Sequence, residues 1–430
     1  MKRKIVDWLI KWKDNKNRKP LILQGARQVG KTYSVLTFGK EYYKNTVYLN
    51  FENNNDLKAI FERDLDTERI IKELSIISGQ SILKEDTLIF FDEIQACERA
   101  LTSLKYFNEN NNEYHIIAAG SLLGVAVNRH EYSFPVGKVD LKAMYPLDFE
   151  EFLMALGEDK IIALIKECFY EDKEFSLHNK AMDLYKSYLV IGGMPAVIKE
   201  YLEQKDFDFV LANQKNINDS YIADMAKYAT PQETTKIMAA FNSIPAQLAK
   251  ENRKFQYKII KSGARAYDYE TPIEWLKASG VILKCHKCNE GKLPLSAYTE
   301  FNSFKVYMTD TGLLCSKFGI PANIILSDTR AFNDFKGALT ENYVCFALTS
   351  NNHTPYYWES KGQAEVDFII QDKEGNIIPI EVKAADNVRA KSLQQFIKKY
   401  NPIYSIRVSS KNFGFENGIK SVPLYAAFLI

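Results

Sequence analysis

Apolar positions in the first third of the chain gather into short runs separated by longer amphipathic stretches. Pro20–Gln24, Thr46–Asn50, Thr87–Phe91 and His115–Ala119 predict four strands. Thr87-Leu-Ile-Phe-Phe91 is apolar almost throughout, as a parallel strand covered on both faces must be. Tyr33 to Tyr43 has helical spacing. Strands alternating with helices over residues 20 to 145 predict a doubly wound parallel sheet, whose ligands bind at the strand carboxyl ends.

The pattern then changes. Phe152-Leu-Met-Ala-Leu156 and Ile161-Ile-Ala-Leu-Ile165 repeat at helical spacing, and few turn residues intervene before Gly192-Gly193, so residues 151–230 predict a helical lid. Met194-Pro195 reads as a helix stop and restart, which is turn chemistry. Residues 231–320 predict three helices, Thr234 to Asn242, Ile244 to Glu251 and Tyr267 to Ser279. Two strands follow, Val281 to Cys288 and Phe304 to Met308, in the order of a winged helix. In residues 321–430 a helical run, Gly337–Leu348, precedes Ala364–Ile370 and Ile378–Lys383, which a turn over Asp372–Asn376 should join as a hairpin. The expected domains are thus 1–150, 151–230, 231–320 and 321–430.

At 430 residues, 46% of them apolar or aromatic, the chain can bury several cores. Its 56 basic and 54 acidic residues leave a net charge of +2, so any nucleic-acid-binding surface must be local. No stretch of about 18 uncharged apolar residues occurs, and the start lacks a signal-peptide core; a soluble cytoplasmic protein without a membrane span is expected. Six scattered cysteines suit reduced thiols. Cys285-His-Lys-Cys288 has zinc-knuckle spacing, but no second pair lies nearby to complete four ligands, and a pair of loop thiols is the expectation.

The chemistry begins at Gly25-Ala-Arg-Gln-Val-Gly-Lys-Thr32, a complete GxxxxGKT pattern between a strand and a helix. Glycine is needed because the loop turns its amides inward around phosphates, and a Cβ at Gly30 would obstruct that approach. Gly25, Ala26, Arg27, Gln28, Val29, Gly30, Lys31, Thr32 and Tyr33 are the nucleotide-binding candidates, with ATP the expected ligand. Lys31 would reach the outer phosphates and Thr32 would offer its hydroxyl to Mg2+. Asp92, ending the Thr87–Phe91 run, is a Walker B ligand for the metal, and Glu93 beyond it can orient and polarise the attacking water. Ser121, after the fourth strand, is the candidate γ-phosphate sensor.

These motifs join others: Phe91-Asp-Glu-Ile-Gln95, Ala119-Gly-Ser-Leu-Leu-Gly124, Tyr145-Pro-Leu-Asp-Phe-Glu-Glu-Phe-Leu153 and Tyr188-Leu-Val-Ile-Gly-Gly-Met-Pro195. Together they resemble an archaeal and bacterial family of AAA-type ATPases with an uncharacterised C-terminal domain. The resemblance implies ATP hydrolysis and an assembly in which one copy completes the next copy's site, hence a homo-oligomer. Where such proteins show Gly-Arg, this chain has Gly137-Lys138, and lysine lacks the planar fork of an arginine finger; Arg129 is the nearby alternative.

Two groups in the second half carry further chemistry. Lys254, Lys258, Lys261 and Arg265 lie near the third helix of the winged-helix-like region and could meet phosphates of double-stranded DNA, although Asp268, Glu270 and Glu274 on that helix suit a protein partner equally. Glu341, Asp367 and Glu381, with Lys383, look like the PD-(D/E)XK nuclease pattern. In that pattern the carboxylates hold Mg2+ while the lysine supports the attacking water or the charge developing on phosphate. A surface ion pair between Asp367 and Lys383 is the plain structural alternative. The two functional expectations are an ATP-driven enzyme that cuts DNA and a non-cutting ATP-dependent switch that binds DNA or a protein.

Overall fold

The computed structural model describes residues 1–52, 54–121, 134–250, 253–327, 330–360, 364–384 and 391–430. They divide into two compact units, Met1–Tyr145 with Ala278–Gly280, and Pro146–Lys277 with Val281–Ile430. Arg129 and residues 122–124 of the Ala119–Gly124 motif lie outside the described residues.

The first unit is built on a five-stranded sheet. Its strands are β1 (Leu21–Gln24), β2 (Asn45–Asn50), β3 (Thr87–Asp92), β4 (His115–Gly120) and β5 (Asp140–Ala143), in the order β2-β3-β4-β1-β5. Every pairing is parallel. All six residues of β3 and of β4 are buried, which explains their lack of polar alternation. Helices Lys31–Tyr42, Asn55–Arg63, Thr67–Ser78 and Glu98–Asn110 make the crossovers. Ile89 and Phe91 of β3 share one core with Leu57, Phe61, Leu74 and Leu104 from these helices. Phe51, Phe61 and Phe91 meet edge to face at 5.4 to 5.8 Å, the geometry favoured by ring quadrupoles. The Asn54 and Asp66 side chains accept amides at the starts of two helices, contacts worth about 1 kcal/mol each. Packing thus fixes the strand ends where the phosphate loop and the Walker B acids begin.

The second unit opens with six helices: Phe149–Ala155, Asp159–Glu171, His178–Ile191, Pro195–Gln204, Phe207–Tyr228 and Pro231–Leu248. The last corrects the expectation of two helices broken between Asn242 and Ile244. Pro245 sits inside one continuous helix because the buried stripe Ile237, Phe241, Ile244 and Leu248 runs through it unbroken. Gln247 also exchanges two hydrogen bonds with the backbone of Gln256. The glycines of the Tyr188–Pro195 motif have a packing reason. A Cβ on Gly192 would come within 2.3 Å of Asp310 Oδ1, and one on Gly193 within 2.0 Å of Leu147 O.

An eight-stranded mixed sheet follows, ordered β12-β13-β11-β10-β9-β8-β6-β7. Its strands are β6 (Ile282–Cys288), β7 (Thr299–Met308), β8 (Tyr356–Ser360), β9 (Ala364–Gln371), β10 (Ile377–Val382), β11 (Ser405–Ser409), β12 (Gly414–Glu416) and β13 (Ile419–Pro423). β6 and β7 form the antiparallel pair expected after the three helices, and β6 also pairs with β8, so they end one continuous sheet with the later strands. β7 begins five residues before the apolar pattern indicates, because Thr299-Glu-Phe-Asn-Ser303 is polar and partly exposed. β9 and β10 make the expected hairpin about Gly375, whose φ of 89° suits glycine at that turn. Helix Arg330–Ser350, buried on nearly every side from Ala338 to Leu348, carries Glu341.

Candidate functional site

The phosphate loop leaves β1 at Gln24. Gly25 has a φ of 151°, and a Cβ there would stand 2.1 Å from Met144 O, so only glycine fits beside that carbonyl. Gln28 (φ 66°) and Gly30 (φ 91°) take left-handed backbone, and Gly30 is the N-cap of helix Lys31–Tyr42. The buried Ala26 and Val29 pin the loop, and the Arg3 guanidinium donates to Val29 O at 2.8 Å. Loop amides and the helix start together favour an anion here. Lys31 Nζ donates to Gly25 O and Ala26 O, both at 2.8 Å, so its charge is held against the loop. Tyr33, on the first turn, is 60% exposed, and its ring is available to a ligand.

Strand β3 brings the acids to the same place. Thr32 Oγ1 donates to Asp92 Oδ2 at 2.8 Å, across 60 residues of sequence. A hydroxyl and a carboxylate in contact at the end of a P-loop are the two groups a magnesium ion would draw from the protein, so these residues fit that metal. Glu93 adopts φ 51°, a left-handed conformation uncommon for a residue with a side chain and often found where function dictates geometry. Its carboxylate accepts from the Gln95 amide, and its own N–H donates to Asp92 Oδ1. At the end of β4, buried Ser121 Oγ accepts from Arg27 Nε at 3.3 Å, tying the sensor candidate to the loop.

One neighbour was not singled out from the sequence. Tyr48 on β2 donates its hydroxyl to Asp92 Oδ2 at 3.1 Å, and Asn50 donates to that hydroxyl in turn. Burial, with the Asp92 charge, pushes the Tyr48 phenol above its ordinary value, which keeps it a donor. The parallel register of β2 on β3, Asn50 opposite Asp92, was the missing signal. Lys138, which follows Gly137, is paired with Glu109 at 3.0 Å.

The carboxyl-terminal acids come together differently. The hairpin places Asp367 beside Glu381, and Asp367 Oδ2 accepts the Val382 N–H at 2.8 Å. Lys383 pairs with Glu381 Oε1 at 2.5 Å, which corrects the alternative of an Asp367–Lys383 surface pair. Glu381 Oε2 is buried and has no hydrogen-bond partner among the described residues. Burial, reinforced by the Glu341 and Glu381 charges, pushes the Asp367 carboxyl up to about 8. Glu341, by contrast, has both oxygens taken. Oε1 accepts from the Tyr307 hydroxyl and from Lys305 Nζ at 3.1 Å, and Oε2 pairs with the Arg253 guanidinium. Burial opposes its ionisation, yet Lys305 and Arg253 hold Glu341 below the usual carboxylate range.

Among the described residues no three Asp, Glu, His or Cys side chains stand together so as to share a metal ion. Glu341, Asp367 and Glu381 therefore do not fit a metal as the expected three-carboxylate set, because Glu341 spends its charge on two side-chain cations. Cys285 and Cys288 are not the loop thiols expected from the sequence. Both thiols are buried on β6, not in a loop, and burial pushes both above the usual thiol range. Of the basic residues near helix Ala266–Ala278, Lys254 is bound to Glu359 at 2.5 Å, whereas Lys258, Lys261 and Arg265 are exposed, as is Tyr267 at 94%.

Residues 17–153 match a protein family described as an AAA domain. Residues 182–323 and 336–427 match two families described as domains of unknown function, DUF8612 and DUF4143. No curated protein matches the chain. Among solved structures, a Walker-type ATPase of Pyrococcus abyssi is 15% identical, with 74% of this chain and 95% of that one covered at a TM-score of 0.44. The ORC1 protein of Aeropyrum pernix, in complex with DNA, is 12% identical over 76% of this chain and 91% of that one, at a TM-score of 0.28. AMPPCP-bound DnaA from Aquifex aeolicus is 14% identical over 64% and 86%, at 0.29. Likenesses this distant do not bear on activity. Among the described residues, no helix is long and apolar enough to cross a membrane.

Proposed function

We propose that this chain, whose amino-terminal unit contains an AAA-type P-loop ATPase domain, binds ATP with magnesium and hydrolyses it. The contact of Thr32 with Asp92, with Glu93 next in sequence, carries this reading. Loop amides from Gly25 to Lys31 bind the phosphates, and Lys31 neutralises the outer ones. Magnesium, held by Thr32 and Asp92, supplies charge neutralisation on the phosphates. Glu93 orients and deprotonates the attacking water, and Ser121, tied to Arg27, is the sensor of the terminal phosphate. Phosphate release from magnesium-ATP by the purified chain tests the proposal, and calorimetry that shows no heat with either ATP or GTP would remove it.

For the carboxyl-terminal half, the neutralised Glu341 favours the non-cutting switch over the DNA-cutting enzyme. The acids keep the nuclease-like pattern of Asp367, Glu381 and Lys383, while the domain binds duplex DNA and the bound nucleotide sets its affinity. Exposed Lys258, Lys261 and Arg265 would meet phosphates of the duplex. DNA affinity measured with ADP and with a non-hydrolysable ATP analogue should differ; equal affinities would remove the switch. Plasmid nicking that Asp367→Ala abolishes would restore the cutting enzyme.

A further inference from the structure

Lys305 lies on β7, outside the segment that carries the acids, yet it is only 1% exposed and its Nζ bridges Glu341 Oε1 at 3.1 Å and Glu365 Oε1 at 2.6 Å. Arg253 reaches the other oxygen of Glu341. One backbone device places both cations. Lys254 forms an isolated antiparallel bridge with Lys305, and Phe255 N donates to Phe304 O at 2.8 Å, so the strand that presents the ammonium also anchors the guanidinium. The helix leaves a slot for that guanidinium. Gly337 precedes Glu341 by four residues, on the same helix face, and a Cβ there would stand 2.9 Å from Arg253 Nη2.

We propose that Lys305 and Arg253 are built-in counter-cations that occupy the place of a divalent metal ion in the acid cluster, so that the folded domain is refractory to metal there. This inference rests on the nuclease-like reading of Asp367, Glu381 and Lys383. Arg253, Lys305 and Lys383 stand against Glu341, Glu365, Asp367 and Glu381. That is three positive charges against four acids, too little negative charge to draw a dication out of water into a buried site. Part of a site nonetheless persists: Glu381 is 3% exposed, and its Oε2 has no hydrogen-bond partner among the described residues. Removing the Lys305 charge leaves Glu341 and Glu365 short of a cation, and a divalent ion can then replace the ammonium.

The test is a Mn2+ titration of the full chain by electron paramagnetic resonance. Wild type, Lys305→Met and Arg253→Met are each compared with the same protein carrying Asp367→Asn, so that ions bound at the phosphate loop cancel. The expected result is no difference for wild type and one additional Mn2+ for Lys305→Met. The melting temperature of Lys305→Met should also rise with Mn2+, while that of wild type does not. Should Lys305→Met fail to fold, Arg253→Met takes its place, because the Arg253 side chain is 21% exposed and easier to lose. A wild-type Mn2+ that Asp367→Asn removes would overturn the counter-cation proposal and leave the nuclease-like reading standing. Folded variants that gain no ion at all would overturn that reading, and the proposal with it.

Discussion

Two groups of carboxylates, one in each unit, are made from the same residue types and held by different partners. Asp92 is held by two hydroxyls, those of Thr32 and Tyr48, and by the Glu93 amide. Glu341 is held by an ammonium, a guanidinium and a phenol. Hydroxyl donors orient a carboxylate and leave its negative charge in place, whereas Lys and Arg cancel it. An acid of the first kind is prepared for a dication, and an acid of the second kind already has its counter-charge. The types and spacing of acids are therefore a weaker guide than the partners that hold their oxygens.

The largest effects should separate the two groups completely. If the ATP site is as proposed, Lys31→Ala removes the charge that would neutralise the outer phosphates, and ATP binding measured by calorimetry should fall below detection. Glu93→Gln keeps the shape and the loop, so ATP should bind as before while turnover falls about 100-fold to 10,000-fold, the range for loss of a general base. Equal turnover in that variant would contradict the base assignment. In the other unit, Lys305→Met takes a cation from buried Glu341 and half-buried Glu365 and should cost about 3–5 kcal/mol in urea unfolding, without a direct effect on ATP binding. A variant as stable as wild type would show that the cations are dispensable and that the contrast is one of appearance only.

Acidity offers a subtler probe. The Asp367 carboxyl ionises near 8 in the folded chain against an ordinary value of 3.8, with Glu341, Glu381, Lys305 and Lys383 as its charged neighbours. Because its folded value is raised, its contribution to stability is complete below 3.8 and is lost as pH rises towards 8. The loss should approach about 1.4 kcal/mol per pH unit within that window, and Asp367→Asn should flatten it. Identical pH profiles for wild type and variant, in melts from pH 5 to pH 8, would mean that Asp367 is ionised throughout.

Local pattern makes the first of these sites legible and hides half of the second. The phosphate loop is contiguous, and its strand and helix announce themselves by runs such as Leu88-Ile-Phe-Phe91, so Lys31, Thr32, Asp92 and Glu93 can be placed from sequence. The hairpin of Asp367 and Glu381 is equally local, because Gly375 marks its turn. Lys305 and Arg253 are not, since they reach Glu341 from 36 and 88 residues away. Nothing in the polar stretch before Phe304 indicates that the next lysine is buried. The continuous helix through Pro245 escaped for a related reason: proline usually breaks a helix, and here tertiary burial of its stripe overrides that tendency.

The smallest expected effect gives the sharpest comparison, because one substitution can be made in both groups. Tyr48 and Tyr307 each donate a phenol hydroxyl to a carboxylate, Asp92 in one case and Glu341 in the other. Tyr48→Phe keeps the ring beside Phe90, with centroids 5.5 Å apart, and removes a hydroxyl that donates to Asp92 and accepts from Asn50 on a residue that is 42% exposed. Folding stability should barely change, while the magnesium concentration for half-maximal ATP turnover should rise about two- to tenfold, the equivalent of one ordinary solvent-accessible hydrogen bond of about 0.5–1.5 kcal/mol. Maximal turnover should hold, since Thr32 still orients Asp92 once the metal is bound. Tyr307→Phe should do the reverse, costing about 1–3 kcal/mol of stability because a buried carboxylate loses a donor, and leaving the magnesium requirement untouched. If Tyr48→Phe instead lowers maximal turnover as far as Glu93→Gln does, the hydroxyl takes part in the chemistry, and hydroxyl-held acids are not merely waiting for a metal.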